Sequence, residues 1–250
     1  MSQGQPGDKR QENLPGDCIE LLAMLFIRNR IRTFRYFVAD YVPPIQDVVP
    51  QSKDRQRVLD DAVALRTRTG IPFIDALMLE MLRHGPDRPL LAALGRHFRY
   101  PLFDHTLDGP PISALRDLSS QPLGDRILVL ASEVVLDDRS VMHIPMLDFR
   151  FSPSPANQRL IVAILGALRI LPGYLLESGN SYHFYGVRLM TAEEIRNLLS
   201  RALIYGPVVD KTWAAHQLLD GFCGLRISPR PPFGLPRVVS FLPVEQHDIE

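Results

Sequence analysis

The segment YLLESGNSYHFYG, residues 174–186, predicts a β-hairpin. Runs of β-forming residues flank Ser178-Gly179-Asn180, and glycine beside asparagine is typical of a tight turn between two strands. On the returning strand Ser181 and His183 are two residues apart, so their side chains share one face, about 6.6 Å apart along the backbone. A hydroxyl and an imidazole beside a glycine turn make this strand a candidate phosphate-binding element.

The remainder of the second half also mixes strands and helices. Residues 127–136 and 141–151 are dense in β-formers and predict another hairpin. Ser154-Pro155 predicts the start of a helix, because proline is favoured at the first helical position. Thr191 to Glu194 reads as a capping box at the start of another helix. The other predicted elements are a helix over 212–219 and closing strands over 222–228 and 237–244.

The first half of the chain has helical periodicity. Apolar residues recur at helical spacing from Cys18 to about Tyr41, with arginines between them. Further helices are predicted over 52–68, 71–84 and 90–98. The stretch from Pro101 to Gly124 is rich in Pro, Gly and Ser and is interpreted as a linker or irregular cover.

These elements predict an α+β fold in three parts. Residues 1–17 are expected to be a disordered lead-in, because they are polar. Residues 18–120 form the predicted helical region. Residues 121–250 form the predicted α+β core, with antiparallel strands and packed helices.

Composition narrows the class of protein. The 250 residues are 46% hydrophobic, which is enough for a core, and 28 basic side chains balance 28 acidic ones, so a nucleic-acid site would have to be a local patch. Cys18 and Cys223 match no zinc motif or disulfide framework, which favours a reducing cytoplasm. No apolar run reaches the roughly 20 residues needed to span a bilayer, so we expect no membrane association.

Other familiar chemistries are disfavoured. The chain has no Walker-type phosphate loop and no dinucleotide-binding glycine pattern. It has no Gly-x-Ser-x-Gly elbow, and Ser181 and His183 on one strand do not make a hydrolase pair without an orienting acid.

Acidic and basic residues elsewhere in the second half accompany the Ser181–His183 strand. Asp148 ends a predicted strand, and Asp210 follows the apolar pair Val208-Val209. Arg226 and Ser228 place a cation and a hydroxyl on a later strand.

In this order, the pieces resemble the core of the archaeo-eukaryotic primase superfamily. That family has an Asp-x-Asp strand, then a Ser-x-His strand, then a third acid after an apolar strand, and an arginine strand often follows. The matching pieces here are Leu147-Asp148-Phe149-Arg150, Ser178 to His183, Val209-Asp210 and Leu225 to Ser228. The stretch His143 to Phe149 is also similar to bacterial primase-like proteins with a single Asp in the first motif.

The resemblance implies a primase-polymerase-like nucleotidyltransferase. Asp148 and Asp210 would be catalytic and would hold Mg²⁺ or Mn²⁺, since nucleotidyl transfer needs metal ions on the attacking and leaving oxygens. Ser181, His183, Arg226 and Ser228 would bind the nucleotide phosphates. The implied partners are nucleotide triphosphates and DNA or RNA.

One residue departs from the family pattern. The second acid of the first motif would fall at position 150, where this chain has Arg150. An arginine there competes with a metal ion for Asp148, and Glu133 is the candidate substitute acid. A catalytically degenerate nucleotide- or nucleic-acid-binding module is therefore an alternative function, and enzymatic activity stays open.

A third alternative is a structural partner-binding protein. Each site residue has an ordinary structural interpretation: Asp148 as a loop cap, Asp210 as a helix N-cap, His183 as a core histidine and Arg226 as the partner of a surface acid.

Overall fold

The computed structural model describes residues 14–40, 52–94 and 100–244. Its contacts divide the chain into two compact units, one formed by Met1–Ala39 with Tyr100–Glu250 and the other by Asp40–Arg99. Among the described helices, none combines the length and apolar character that crossing a bilayer requires.

In chain order, the described elements are α1 (Cys18–Arg28), β1 (Ile31–Asp40), α2 (Lys53–Thr69), α3 (Phe73–His84), α4 (Arg88–Leu94), β2 (Phe103–Thr106), α5 (Pro111–Ser119), β3 (Arg126–Leu136), β4 (Val141–His143), β5 (Met146–Asp148), α6 (Pro155–Leu168), β6 (Gly173–Glu177), β7 (Tyr182–Gly186), α7 (Ala192–Ala202), α8 (Lys211–Asp220), β8 (Gly224–Arg226) and β9 (Arg237–Leu242), with a short 3₁₀ turn at Leu203–Tyr205.

The first unit contains two sheets, and helices pack against them. One sheet has the order β2-β1-β3-β4, with β8 also pairing with β3, and the other has the order β5-β7-β6-β9. The strand pairs with a described register are antiparallel. Helices combined with antiparallel sheets confirm the predicted α+β class.

Local sequence signals start several helices as predicted. The Ser154 hydroxyl accepts a hydrogen bond from Asn157 N at the start of α6. At α7, Thr191 and Glu194 form the reciprocal capping box. The predicted hairpin over 174–186 is also present, with β6 and β7 paired from Gly173↔Gly186 to Glu177↔Tyr182.

Buried residues of helix α1, of both sheets and of helices α6 and α7 form one core in the first unit. Its largest fully buried side chains are aromatic: Phe26, Phe34, Phe149, Tyr182, Phe184 and Tyr185.

The helix predicted from Cys18 to about Tyr41 is wrong from Asn29 to Asp40, and Tyr41 lies outside the described residues. Asn29 caps α1, and Arg30 adopts a left-handed conformation with φ 53°, which reverses the chain into strand β1. The strand forms because β2 and β3 offer it partners on both edges, a tertiary contact that helical periodicity does not report.

Two other predictions need correction. Pro101 to Gly124 contains β2 and α5 and so is more than a linker. In the predicted lead-in, residues 1–13 lie outside the described residues, whereas Asp17 caps α1 and bridges Arg237. The compact units therefore divide elsewhere than at the predicted boundary at residue 120, because β1 and β2 belong to the sheet that contains β3.

The second unit is helical, as predicted for this part of the chain. Helices α2 and α3 pack through a small apolar cluster with α4. Ser52 caps α2, and Gly70 ends it in the left-handed conformation, φ 73°. The helix predicted over 90–98 corresponds to α4, and residues 95–99 lie outside the described residues.

Candidate functional site

Strand pairing brings Asp148 and His183 together. In the β5–β7 register Asp148 lies directly opposite His183, so both side chains leave the same face of the sheet. His183 Nε2 lies 3.7 Å from Asp148 Oδ1. The pairing continues one residue further, because Phe149 N donates to Tyr182 O at 2.9 Å.

Asp210 reaches the same place from the other edge of this strand. Asp210 N donates to Asp148 O at 2.9 Å, and Arg150 N donates to Val208 O at 3.0 Å. Phe149 and Val209 form the bridge between these two hydrogen bonds. The first and third acidic motifs are thus neighbours in space although they lie 62 positions apart in the sequence, at 148 and 210.

Arg150 binds the carboxylate of Asp210. Its Nε donates to Asp210 Oδ2 at 2.9 Å, and both side chains are partly buried. The other oxygen, Oδ1, accepts hydrogen bonds from the backbone amides of Thr212 and Trp213, each at 3.0 Å, and so caps α8. Both oxygens of Asp210 are therefore engaged, and its N-cap interpretation is confirmed.

The environment of Asp148 disfavours its charged form. Burial raises the pKa of Asp148 well above its ordinary range, and the neighbouring carboxylate of Asp210 raises it further, whereas Arg150 lowers it. Asp148 Oδ1 is buried and has no hydrogen-bond partner. A buried charged oxygen without a partner is costly, so this surrounding disfavours the ionised form of Asp148.

His183 is held in its neutral form. Burial, with a further contribution from the Arg226 guanidinium, lowers the pKa of His183 to about 3. The residue is 6% exposed, and its Nδ1 has no hydrogen-bond partner. The predicted phosphate-binding imidazole is thus a buried, neutral group with one unused ring nitrogen.

Acid is expected to destabilise the protein through His183. As pH falls below 6.5, the ordinary pKa of histidine, the unfolded chain gains a proton that folded His183 accepts only near pH 3. The loss of stability at pH 4.5 is expected to be roughly 2 to 3 kcal/mol. His183→Gln, which has no imidazole, should lose less stability between pH 7.5 and pH 4.5 when urea unfolding is compared.

The effect of Asp148 on stability as pH changes is opposite to that of His183. Because its folded pKa is raised, the native state loses stability as pH rises above 3.8. The difference between wild type and His183→Gln in the stability lost between pH 7.5 and pH 4.5 therefore measures the contribution of the histidine. His105→Gln, in the other sheet, keeps His183 and should behave as wild type; equal acid losses in all three chains would contradict the assignment.

Arg226 is buried and bound to backbone carbonyls. Its Nη1 donates to the carbonyl oxygens of Ser228 and Gly234, and its Nη2 donates to Ser178 O at 2.7 Å. The arginine therefore ties the turn at Ser178 to the loop after β8. The structural alternative of a surface ion pair is wrong, since Arg226 is 7% exposed. The contact between Arg226 and phosphate stays a prediction, and both terminal nitrogens of Arg226 already donate hydrogen bonds to backbone carbonyl oxygens.

The serines differ in their availability. Ser178 and Ser181 share a hydrogen bond between their hydroxyls at 3.0 Å, at the turn where Gly179 adopts φ 116° against the ring of Phe233. Ser181 is half-buried and remains near the surface. The hydroxyl of Ser228 is buried and accepts from Leu128 N at 3.0 Å, so it fastens β3 to the end of β8.

The sequence prediction omits one polar group on this face. Tyr185 follows His183 by two residues on β7 and shares its face of the sheet. Its hydroxyl is fully buried without a partner, and burial raises its pKa well above the ordinary range. Strand alternation could have placed Tyr185 beside His183, but the aromatic residues of β7 are equally typical of an apolar core.

The acids as placed do not fit a divalent ion. Both oxygens of Asp210 already accept hydrogen bonds, and burial disfavours the charged form of Asp148. Within the described ranges, no group of three ligand atoms from His, Cys, Asp or Glu lying within 4.8 Å of one another includes Asp148 or Asp210. The substitute acid Glu133 is paired with Arg35 at 2.5 Å. The predicted Mg²⁺ or Mn²⁺ site stays a prediction that would require Arg150 to release Asp210.

Comparison with known proteins agrees with this arrangement of motifs. Residues 113–233 match the family model described as AEP-like, Archaeo-eukaryotic primase 1D-like, which is 121 of the 250 residues. The matched segment contains every predicted site residue. This segment is therefore similar to archaeo-eukaryotic primase-like proteins, and the resemblance seen in the motifs is confirmed. No curated protein and no solved structure matches the chain significantly.

Proposed function

We propose that the primase-like module binds the phosphate groups of nucleotides or of a nucleic-acid strand, without metal-dependent polymerisation. The observation that carries the proposal is the placement of Arg150. Its Nε holds Asp210, where a metal ligand would be needed, while its buried Nη1 has no hydrogen-bond partner. A guanidinium with an unused donor beside a helix N-terminus is suited to an anionic oxygen.

The charges around Asp148 favour an anion. Burial disfavours a charge on Asp148, Arg150 pairs with the carboxylate of Asp210, and His183 is uncharged. The Arg226 guanidinium acts on both Asp148 and His183, and it adds positive charge in a poorly hydrated surrounding, where electrostatic attraction is stronger than in water. A phosphate would offset this charge and provide oxygens for Arg150 Nη1.

The substrate class follows from the family. An archaeo-eukaryotic primase-like module supports interaction with nucleotides and nucleic acid in general. The overall charge balance of the chain supports a local site rather than a broad basic surface. A cytoplasmic location stays a prediction.

Arg150→Ala is expected to weaken binding by roughly tenfold, which corresponds to about 1.4 kcal/mol. The reason is the loss of one charge-assisted contact to phosphate, which should also lower the salt slope of binding by about one. The measurement is fluorescence anisotropy with labelled single-stranded dT and rU oligonucleotides, and calorimetry with ATP, all in excess EDTA.

The matched control is Arg196→Ala, which removes an exposed arginine from α7. It should bind as wild type does. Equal affinities in wild type and Arg150→Ala, or no binding by wild type at low salt, would reject the proposal and favour a structural partner-binding role. The helix content measured by far-UV circular dichroism should be unchanged, since Asp210 keeps its capping bonds to α8 in this variant.

A second candidate is the nucleotidyltransferase itself. The observation that favours it is the unpartnered Oδ1 of Asp148 beside Asp210. It requires primer extension or primer synthesis in Mg²⁺ or Mn²⁺ by wild type, abolished in Asp148→Asn and in Asp210→Asn. Asparagine at 210 is still a good N-cap, so a loss of product would not reflect a broken helix. Efficient wild-type synthesis would replace the first proposal with this one.

A further inference from the structure

Helices α2 and α3 of the second unit carry a group of polar side chains that the primase-like module does not use. Asp61 projects from α2, and Glu80 and His84 lie one turn apart on α3, so both can face the same point. The group lies beside the apolar contact between the two helices, which includes Ala62, Leu65, Leu77 and Met81.

The three side chains converge on a small volume. His84 Nε2 lies 2.9 Å from Asp61 Oδ2 and 3.7 Å from Glu80 Oε2. One ligand atom from each residue lies within 4.8 Å of the other two. Two ligands of a tetrahedral zinc ion, each about 2.0 to 2.1 Å from it, are separated by roughly 3.3 Å. The two measured separations lie on either side of that value.

The burial of Glu80 is a separate observation. Its side chain is 3% exposed, and its Oε1 accepts from Arg83, which is itself 65% exposed. Its Oε2 faces His84 at a distance too long for a hydrogen bond and makes none to the described residues. A buried carboxylate needs a nearby cation, and an arginine extended into solvent provides little compensation.

We propose that Asp61, Glu80 and His84 bind a divalent transition-metal ion, with Zn²⁺ as the best-fitting ion and water completing its coordination. One imidazole and two carboxylates suit zinc, whereas Mg²⁺ prefers six oxygens in octahedral geometry. The ion would neutralise Glu80 and join α2 to α3. This site is independent of the nucleotide proposal, because its ligands lie in the other compact unit.

The test is calorimetric titration of the full chain, stripped with chelator, with Zn²⁺ alone. Wild type is expected to bind one equivalent that His84→Gln and Asp61→Asn each weaken by at least roughly tenfold. Excess Mg²⁺ should not displace the zinc. Zinc should also raise the midpoint of thermal unfolding in wild type and not in the variants, because a ligand of the native state stabilises it.

Two control variants test whether zinc binds at Asp61, Glu80 and His84 rather than at other carboxylates. Asp60→Asn removes a carboxylate one position along the same helix, and Asp148→Asn removes the predicted acid of the primase-like module; both should bind zinc as wild type does. Asp61 has a 45% exposed side chain, so Asp61→Asn should fold even if a change at Glu80 does not. Wild type that takes up no zinc, or variants at 61 and 84 that bind it equally well, would overturn the proposal and leave a hydrogen-bonded ion-pair cluster.

Discussion

Gly173→Ala is expected to cost about 3 kcal/mol or more of folding free energy, at or above the upper end for overpacked cores. Gly173 begins β6, and a Cβ there would lie 2.2 Å from Cζ of Phe184 and 2.7 Å from the carbonyl oxygen of Tyr185. The Phe184 ring is fully buried and the carbonyl belongs to the backbone, so neither can move away cheaply. Urea unfolding followed by the single tryptophan measures the loss.

The control for this prediction is Gly166→Ala in helix α6. A Cβ at Gly166 meets no atom within 4 Å, so alanine there should stabilise the helix by about 0.5 to 1 kcal/mol. The two substitutions add the same methyl group and are expected to change stability in opposite directions. A soluble Gly173→Ala protein with wild-type stability would show that the β6–β7 pairing described above is wrong.

Arg226→Met should destabilise the fold by about 3 to 5 kcal/mol, the range for removing one partner of a buried charged network. The substitution keeps most of the side-chain volume but leaves the carbonyls of Ser178, Ser228 and Gly234 without their donor. Each unsatisfied buried acceptor adds a desolvation penalty. The free energy of unfolding in urea measures the effect.

Arg237→Met serves as the matched control. Arg237 forms an ion pair with Glu177, and its side chain is 67% exposed, so its loss should cost no more than about 1 kcal/mol. If Arg226→Met were as mild as this control, the guanidinium would not hold the turn, and its predicted role as a phosphate ligand would regain support.

Arg226 and Arg150 thus have different roles in the site. Arg226 positions the Ser178–Ser181 turn through backbone carbonyls, whereas Arg150 keeps an unused donor next to Asp148 and Asp210. Residue 150 lies where the family has its second acid, so the same strand that would bind metal carries a cation here. Phosphate binding is for this reason better supported than metal-dependent synthesis.

Local signals were sufficient for several elements of the fold. A cap followed by proline at Ser154 and the capping box at Thr191 act within one helical turn, so their neighbours in sequence determine the outcome. The hairpin around Gly179 is equally local, because only glycine accepts φ 116° without strain. The order of Asp148, His183 and Asp210 along these elements was enough to indicate the primase-like family.

Long-range strand pairing determined which sheet each strand joins, and local signals do not report this. Residues 141–151 read as one strand, yet β4 joins the first sheet and β5 the second, because Pro145 interrupts the ladder and its carbonyl accepts from Gly186 N. Strand β1 was predicted as helix, since β propensity depends on the neighbours that a strand finds.

The sequence by itself determined which chemical groups the elements of the site carry and which of them share a strand face, because strand alternation and motif order can be read along the chain. Only the tertiary structure decided the charge and the hydrogen bonds of these groups. Asp210 is bound by Arg150 and caps α8, His183 is buried and neutral, and Arg226 donates its hydrogen bonds to backbone carbonyls. Those outcomes depend on burial and on partners distant in the chain, and burial sets both the charge of a group and whether its hydrogen bonds are already made.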